Sequence, residues 1–175
     1  MASRRRPRRK GAARSDGQRR QLARASRHAA APVAVTPAGS TTRVLCDGGS
    51  RGNPGPAAAA AVLLAPDGGV LDRRSSPIGR ATAAEAEYRA ILLGLRFAAA
   101  NAVDPLELCS DSLLAIQALQ RKVPADAGLA ALVREIHAAS SGFSSVSWRW
   151  HSARENEPAD ALVRELLWPR RPRRE

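Results

Sequence analysis

The chain has 175 residues, with 28 Lys plus Arg against 16 Asp plus Glu and a formal net charge of +12. That length fits one domain with a core of its own, and no stretch is long and apolar enough to predict a membrane span. Cys46 and Cys109 are the only cysteines, which excludes a disulfide scaffold or a cysteine-based zinc site and suits a reducing compartment.

The charge is unevenly placed. Residues 1–28 carry eleven cations and one acid, and Arg170, Arg171, Arg173 and Arg174 crowd the other end. Residues 29–169 hold thirteen cations and fourteen acids, a net charge of −1. Residues 1–42 read as a disordered Arg-rich tail and linker, because Leu22 is the one large apolar residue between Met1 and the linker. Four readings stay open for the tail: a solvated appendage, a nucleic-acid-tethering arm, an Arg-rich transit segment without an apolar stripe, or a wrongly assigned start. No apolar core of a secretory signal follows its charges. A basic tail is expected again at 169–175.

The body alternates between strand and helix patterns. Thr42–Cys46 reads as a strand running into a glycine turn at Asp47-Gly48-Gly49-Ser50. Ala57–Ala65 is apolar throughout and ambiguous by propensity. Pro54 and Pro56 before it and Pro66-Asp67-Gly68-Gly69 after it favour a strand closed by a hairpin, with Val70–Ser76 returning. Ala83–Asn101 places Tyr88, Ile91, Leu92, Leu95 and Ala99 at helical spacing. Leu106–Ser110 reads as a strand, Ser112–Gln120 and Leu129–Ala139 as helices, Ser145–Trp150 as a strand and Pro158–Trp168 as a final helix. The order βββαβααβα predicts an α/β fold: a mixed sheet opened by a meander and continued by helical crossovers.

Four acids stand where packing does not call for them. Asp47 and Asp111 lie at the ends of the first and fourth strands, Glu87 beside the apolar face of the first long helix, and Asp160 in the first turn of the last one. If those two strands are neighbours, the acids gather at one end of the sheet. Clustered carboxylates repel unless cations bind, and Mg²⁺ or Mn²⁺ suits all-oxygen ligands. Two such ions can activate a water and stabilise the leaving oxygen of a phosphodiester. Any one of these acids alone reads as an ordinary turn or cap residue.

Asp47-Gly48-Gly49-Ser50-Arg51-Gly52-Asn53-Pro54-Gly55-Pro56-Ala57 closely resembles the opening motif of type 1 ribonucleases H. Glu85-Ala86-Glu87-Tyr88-Arg89-Ala90, Ser110-Asp111-Ser112 and the stretch Arg154 to Leu162 resemble the later motifs, so the resemblance covers residues 43–168. It implies a five-stranded ribonuclease H-like sheet with helices on both faces. It also implies two-metal hydrolysis of the RNA strand of RNA/DNA hybrids, leaving a 3′-hydroxyl and a 5′-phosphate. By position, Asp47 would bridge both ions, Glu87 and Asp111 would bind one, and Asp160 the other. Gly48, Asn53, Ser112 and Asn156 form the implied substrate-binding set. Gly48 and Asn53 would line the minor groove, Ser112 would support the Asp111 loop, and Asn156 the loop before Asp160.

The chain departs from the family in places. Ala83 and Ala84 stand where the family often has Asn, His151 is one residue off the place of a mobile His, and only Arg121 and Lys122 mark the place of a basic handle. A noncatalytic nucleic-acid-binding module on the same fold, or a nuclease with another nucleic-acid substrate, therefore remain alternatives. The expected partner is an RNA/DNA hybrid, with no membrane. The expected state is a monomer in the cytoplasm beside the nucleoid, with organellar import as the alternative. Cys46 and Cys109 should point to opposite faces of the sheet.

Overall fold

In the computed structural model, the described residues are 41–123 and 126–169. The proposed N-terminal tail and linker up to residue 40, and the C-terminal tail beyond Pro169, lie outside them. The elements in chain order are β1 (Arg43–Ser50), β2 (Gly55–Leu64), β3 (Val70–Ala81), α1 (Ala83–Ala100), β4 (Leu106–Ser110) and α2 (Leu113–Arg121). A 3₁₀ turn (Ala127–Leu129), α3 (Ala130–Ser140), β5 (Val146–Trp150) and α4 (Glu157–Leu167) follow. The order matches the expected βββαβααβα. No described helix is long and apolar enough to cross a membrane.

The five strands form one mixed sheet in the order β3-β2-β1-β4-β5. β1 pairs antiparallel with β2 and parallel with β4, so the first and fourth strands are neighbours. Helices α1, α2 and α3 cover one face of the sheet and α4 the other.

The alanine run of β2 explains how both faces can be covered so closely. Ala59 and Ala61 join the core beneath α1, whereas Ala58 and Ala60 pack on Val163 and Leu167 of α4. Alanine is a poor strand former in isolation, but a strand buried on both faces needs small apolar residues more than it needs propensity. The larger core is built by Tyr88, Ile91, Leu92 and Leu95 of α1 against Val44, Leu63 and Leu108 of the sheet. Gly94 lets α1 settle directly on the sheet, since a Cβ there would collide with the Cys46 sulfur.

Two strands are longer than their local sequence predicts. β1 does not stop at Cys46: Asp47, Gly48, Gly49 and Ser50 stay in the ladder opposite Ala60, Ala59, Ala58 and Ala57, and the turn falls at residues 51–54. β3 continues past Ser76 through Pro77 and Gly79 to Ala81. It is an edge strand, and the register slips opposite Ala57 and Ala58, so the bulge absorbs a proline that a central strand would not tolerate.

Helix α1 begins with a reciprocal cap. The Thr82 hydroxyl accepts from the Glu85 amide at 3.1 Å, and the Glu85 carboxylate accepts from the Thr82 amide at 2.7 Å. Glu85 is thus a capping residue, which leaves Glu87 to face the sheet. Cys46 and Cys109 are free thiols in separate core clusters on opposite faces.

Candidate active site

Asp47, Glu87 and Asp111 converge. Each offers a carboxylate oxygen to a group in which all the oxygens lie within 4.8 Å of one another. Three separate features of the chain place them. Asp47 lies in the middle of β1, Asp111 directly follows β4, and the parallel pairing of Cys46 with Ser110 sets the two acids side by side. Glu87 comes down from the second turn of α1.

Gly48 makes that approach possible. It is buried under α1, where a Cβ would overlap the Ala86 carbonyl and crowd the Glu87 amide. The Gly48 backbone also hydrogen-bonds the Glu87 carboxylate. Gly48 thus acts beneath the carboxylates as packing and donor, while the exposed tip of the β1–β2 loop carries Asn53. The Asn53 side-chain oxygen accepts from the Ala83 amide at 3.1 Å, which ties the loop to the start of α1.

The electrostatics are those of like charges forced together. Burial first, then the Asp111 and Asp160 charges, push Asp47 up to about 7 against the pull of Arg164. Burial, followed by Asp47 and Asp111, pushes Glu87 up to about 9, and the Gly48 bond only partly offsets this. Asp111 is raised as well, chiefly by burial, while an Asn156 hydrogen bond works the other way. One oxygen of Glu87, Oε2, is buried without a hydrogen-bond partner. An acceptor-only group in that state costs free energy until a cation or proton reaches it.

Asp160 stands apart from this trio. It lies in the first turn of α4, and its Oδ2 takes the Arg164 Nε–H at 2.8 Å in an ordinary one-turn ion pair. Its charge still reaches Asp47 and Asp111, since it raises both.

Asn156, expected to support substrate binding by bracing the loop before Asp160, is fully buried. Its amide donates to the Cys46 carbonyl at 3.0 Å and to Asp111 Oδ1 at 3.4 Å. Although it sits at the N-cap of α4, its side chain makes no cap bond because it reaches into the sheet instead. In this structure it is a peg joining α4, β1 and Asp111. Ser112 likewise makes no side-chain cap bond for α2. The hydroxyl that braces the Asp111 turn belongs to buried Ser110, whose Oγ accepts from the Ser112 amide at 3.1 Å.

Two contributors were not singled out by sequence. Trp150, half exposed at the end of β5, donates its indole N–H to the Asp111 carbonyl at 3.1 Å. Arg164 holds Asp160. The first could be found only from the β4–β5 pairing; the second was visible as a cation four residues after an acid on a helix.

The profile of the Reverse transcriptase-like family matches residues 45–166. Ribonuclease HI of Halobacterium salinarum is 38% identical over 130 residues, which are 74% of this chain and 65% of that protein. A bifunctional protein of Mycobacterium tuberculosis is 34% identical over 69% of this chain but only 34% of its own length. The chain therefore spans about two thirds of one curated relative and about a third of the other. Among solved structures, the crystal structure of the Halobacterium salinarum enzyme superposes with a TM-score of 0.70 at 37% identity, over 73% of this chain and 97% of that one. A compost-derived type 1 ribonuclease H in complex with an RNA/DNA hybrid gives a TM-score of 0.68 at 28% identity, over 73% of this chain and 96% of that one.

Proposed function

Because this chain belongs to the ribonuclease H type 1 family, we propose that it is an endonuclease hydrolysing the RNA strand of RNA/DNA hybrids. The observation that carries this reading is the meeting of Asp47, Glu87 and Asp111 from three separate elements. Packing does not explain them, and a protein that only bound phosphates would gain nothing from a negative cluster. A relative of the same fold is known bound to such a hybrid.

The donor set fits hard divalent ions. It is all oxygen, its members push one another's pKa values up, and Glu87 Oε2 lacks a partner. Asp47, Glu87 and Asp111 would hold such an ion, and Asp160, once released from Arg164, would help to hold a second. Mg²⁺ or Mn²⁺ there supplies an activated water and charge stabilisation for the leaving oxygen. Hydrolysis forms a bond from water oxygen to phosphorus and breaks the bond from phosphorus to the 3′-oxygen. The products are a 3′-hydroxyl and a 5′-phosphate.

The chain's own residues supply alignment. The Gly48 backbone holds Glu87, Asn156 holds Asp111 through its carboxylate, and Trp150 holds Asp111 through its carbonyl. Asn53 is fixed at its side-chain oxygen, so its amide donors can face a minor groove whose 2′-hydroxyls mark the RNA strand.

The test is cleavage of an end-labelled hybrid by the full chain in Mg²⁺ or Mn²⁺. RNA-strand cleavage that Asp47→Asn abolishes supports the reading. Hybrid binding without cleavage in either metal overturns it in favour of a noncatalytic binding module.

A further inference from the structure

Outside the carboxylate site, one other set of side chains converges. Glu107, Cys109 and His151 bring a carboxylate oxygen, a thiol sulfur and an imidazole nitrogen within 4.8 Å of one another. Their placement follows from strand geometry. Glu107 and Cys109 alternate onto the same face of β4, which is the face that α4 packs against. His151 directly follows edge strand β5, and its backbone N–H continues the ladder by donating to the Ser110 carbonyl at 3.0 Å. Cys109 forms the buried floor of the group, with Glu107 and His151 half-buried above it.

We propose that Glu107, Cys109 and His151 form a second cation site, distinct from the carboxylate site and suited to a thiophilic divalent ion of the Zn²⁺ class. Two cysteines are too few for an all-cysteine site, but a mixed set needs only one.

Three observations carry this. The donor types, one sulfur, one nitrogen and one oxygen, are those that select Zn²⁺ over Mg²⁺. The His151 Nδ1 is buried and has no hydrogen-bond partner, so a nitrogen donor in the group is left unused. The competing contacts are weak. The Cys109 sulfur lies 3.9 Å from Glu107 Oε1, and Arg149 Nε approaches Glu107 Oε2 only to 3.7 Å from a side chain that is 63% exposed.

Ligands on a tetrahedral zinc stand about 3.5 Å apart. Donors that already lie within 4.8 Å of one another would have to close by about an ångström to reach that spacing, with water in the fourth position. The thiol proton leaves to solvent as the sulfur binds. The ion then cross-links the end of edge strand β5 to β4, beside Asp111.

The experiment titrates the full-length chain with Co²⁺, whose bond to a thiolate gives a near-ultraviolet charge-transfer band that oxygen ligands do not give. The expected result is a band that saturates at one ion per chain, persists in excess Mg²⁺ and is displaced by Zn²⁺. Cys109→Ala removes it, whereas Cys46→Ala and Asp47→Asn retain it. His151→Ala and Glu107→Gln weaken Co²⁺ binding by on the order of 10–100-fold. Should Cys109→Ala fail to fold by circular dichroism, the half-buried His151→Ala carries the test. No band, a band that survives in folded Cys109→Ala, or unchanged affinity in His151→Ala overturns the proposal. None of these outcomes bears on hybrid cleavage, which uses other residues.

Discussion

Replacing Asp47 by Asn should stabilise the metal-free protein, and increasingly so as the pH rises. Asp47 is 7% exposed, and its pKa is raised from 3.8 to about 7. The folded state therefore holds this proton more tightly than the unfolded chain does. Folding stability is greatest where both states are protonated, and it is lost as the pH climbs from 3.8 towards 7. A shift of about three units corresponds to about 4 kcal/mol at 1.36 kcal/mol per unit. Relaxation of a site that opens to water roughly halves this, so the expected gain is about 2–4 kcal/mol. Asp47→Asn keeps the shape, removes the charge and relieves Glu87, for which Asp47 is the leading charge partner. The assay is urea unfolding of both proteins in chelator, from about pH 4 to about pH 8. The stability difference should be near zero at the acid end and reach the full gain at the alkaline end. Mg²⁺ should then stabilise the parent more than the variant, because ligand binding adds to the stability of the state that binds it. A difference that stays flat with pH, or a variant less stable than its parent at about pH 8, refutes the reasoning that like-charge burial dominates this site.

Three further outcomes follow from the supporting contacts. Asn156→Ala should lower cleavage by about 10–100-fold, with a higher Mg²⁺ requirement as the companion signature, because among the described residues Asn156 supplies the one side-chain hydrogen bond to the Asp111 carboxylate; steady-state kinetics against metal concentration checks this. Gly48→Ala should cost about 1–3 kcal/mol in a denaturant melt and impair cleavage, since backbone at Ala86 cannot step aside as a flexible side chain could. Thr82→Ala removes the hydroxyl that accepts from the Glu85 amide, leaves the backbone bond from residue 82 to the Glu85 carboxylate, and should cost about 1 kcal/mol with cleavage at the parent's rate.

What could be read from the sequence was whatever local pattern dictates. The hairpin after β2 follows from Pro66-Asp67-Gly68-Gly69, where Gly68 adopts φ of 90°. The long α1 follows from the spacing of Tyr88, Ile91, Leu92 and Leu95. The four acids stood out because no packing pattern needed them. What escaped was set by contacts between distant segments. Gly48 and Gly49 look like a turn in isolation, and only the helices packed on the two faces, α1 over Gly48 and α4 over Gly49, show that they are strand residues kept small. Pro77 looks like a strand breaker until β3 proves to be an edge strand with a bulge. Ser110 and Ser112 are indistinguishable in sequence, but the pleat turns Ser110 inward, where its hydroxyl can meet the backbone of the turn. Asn156 reads as a brace for the loop before Asp160, because nothing local reveals that the sheet lies within its reach.

That peg has a consequence for the order in which the protein becomes itself. The bond from Asn156 to the Cys46 carbonyl spans 110 positions in the chain. A nascent chain ending after β5 already carries Asp47, Glu87 and Asp111, but it lacks both the tether on Asp111 and the α4 helix that covers Ala58 and Ala60. Closing so long a loop brings its reward only at the end of assembly. Alignment of the three acids should therefore wait until synthesis has passed the last helix.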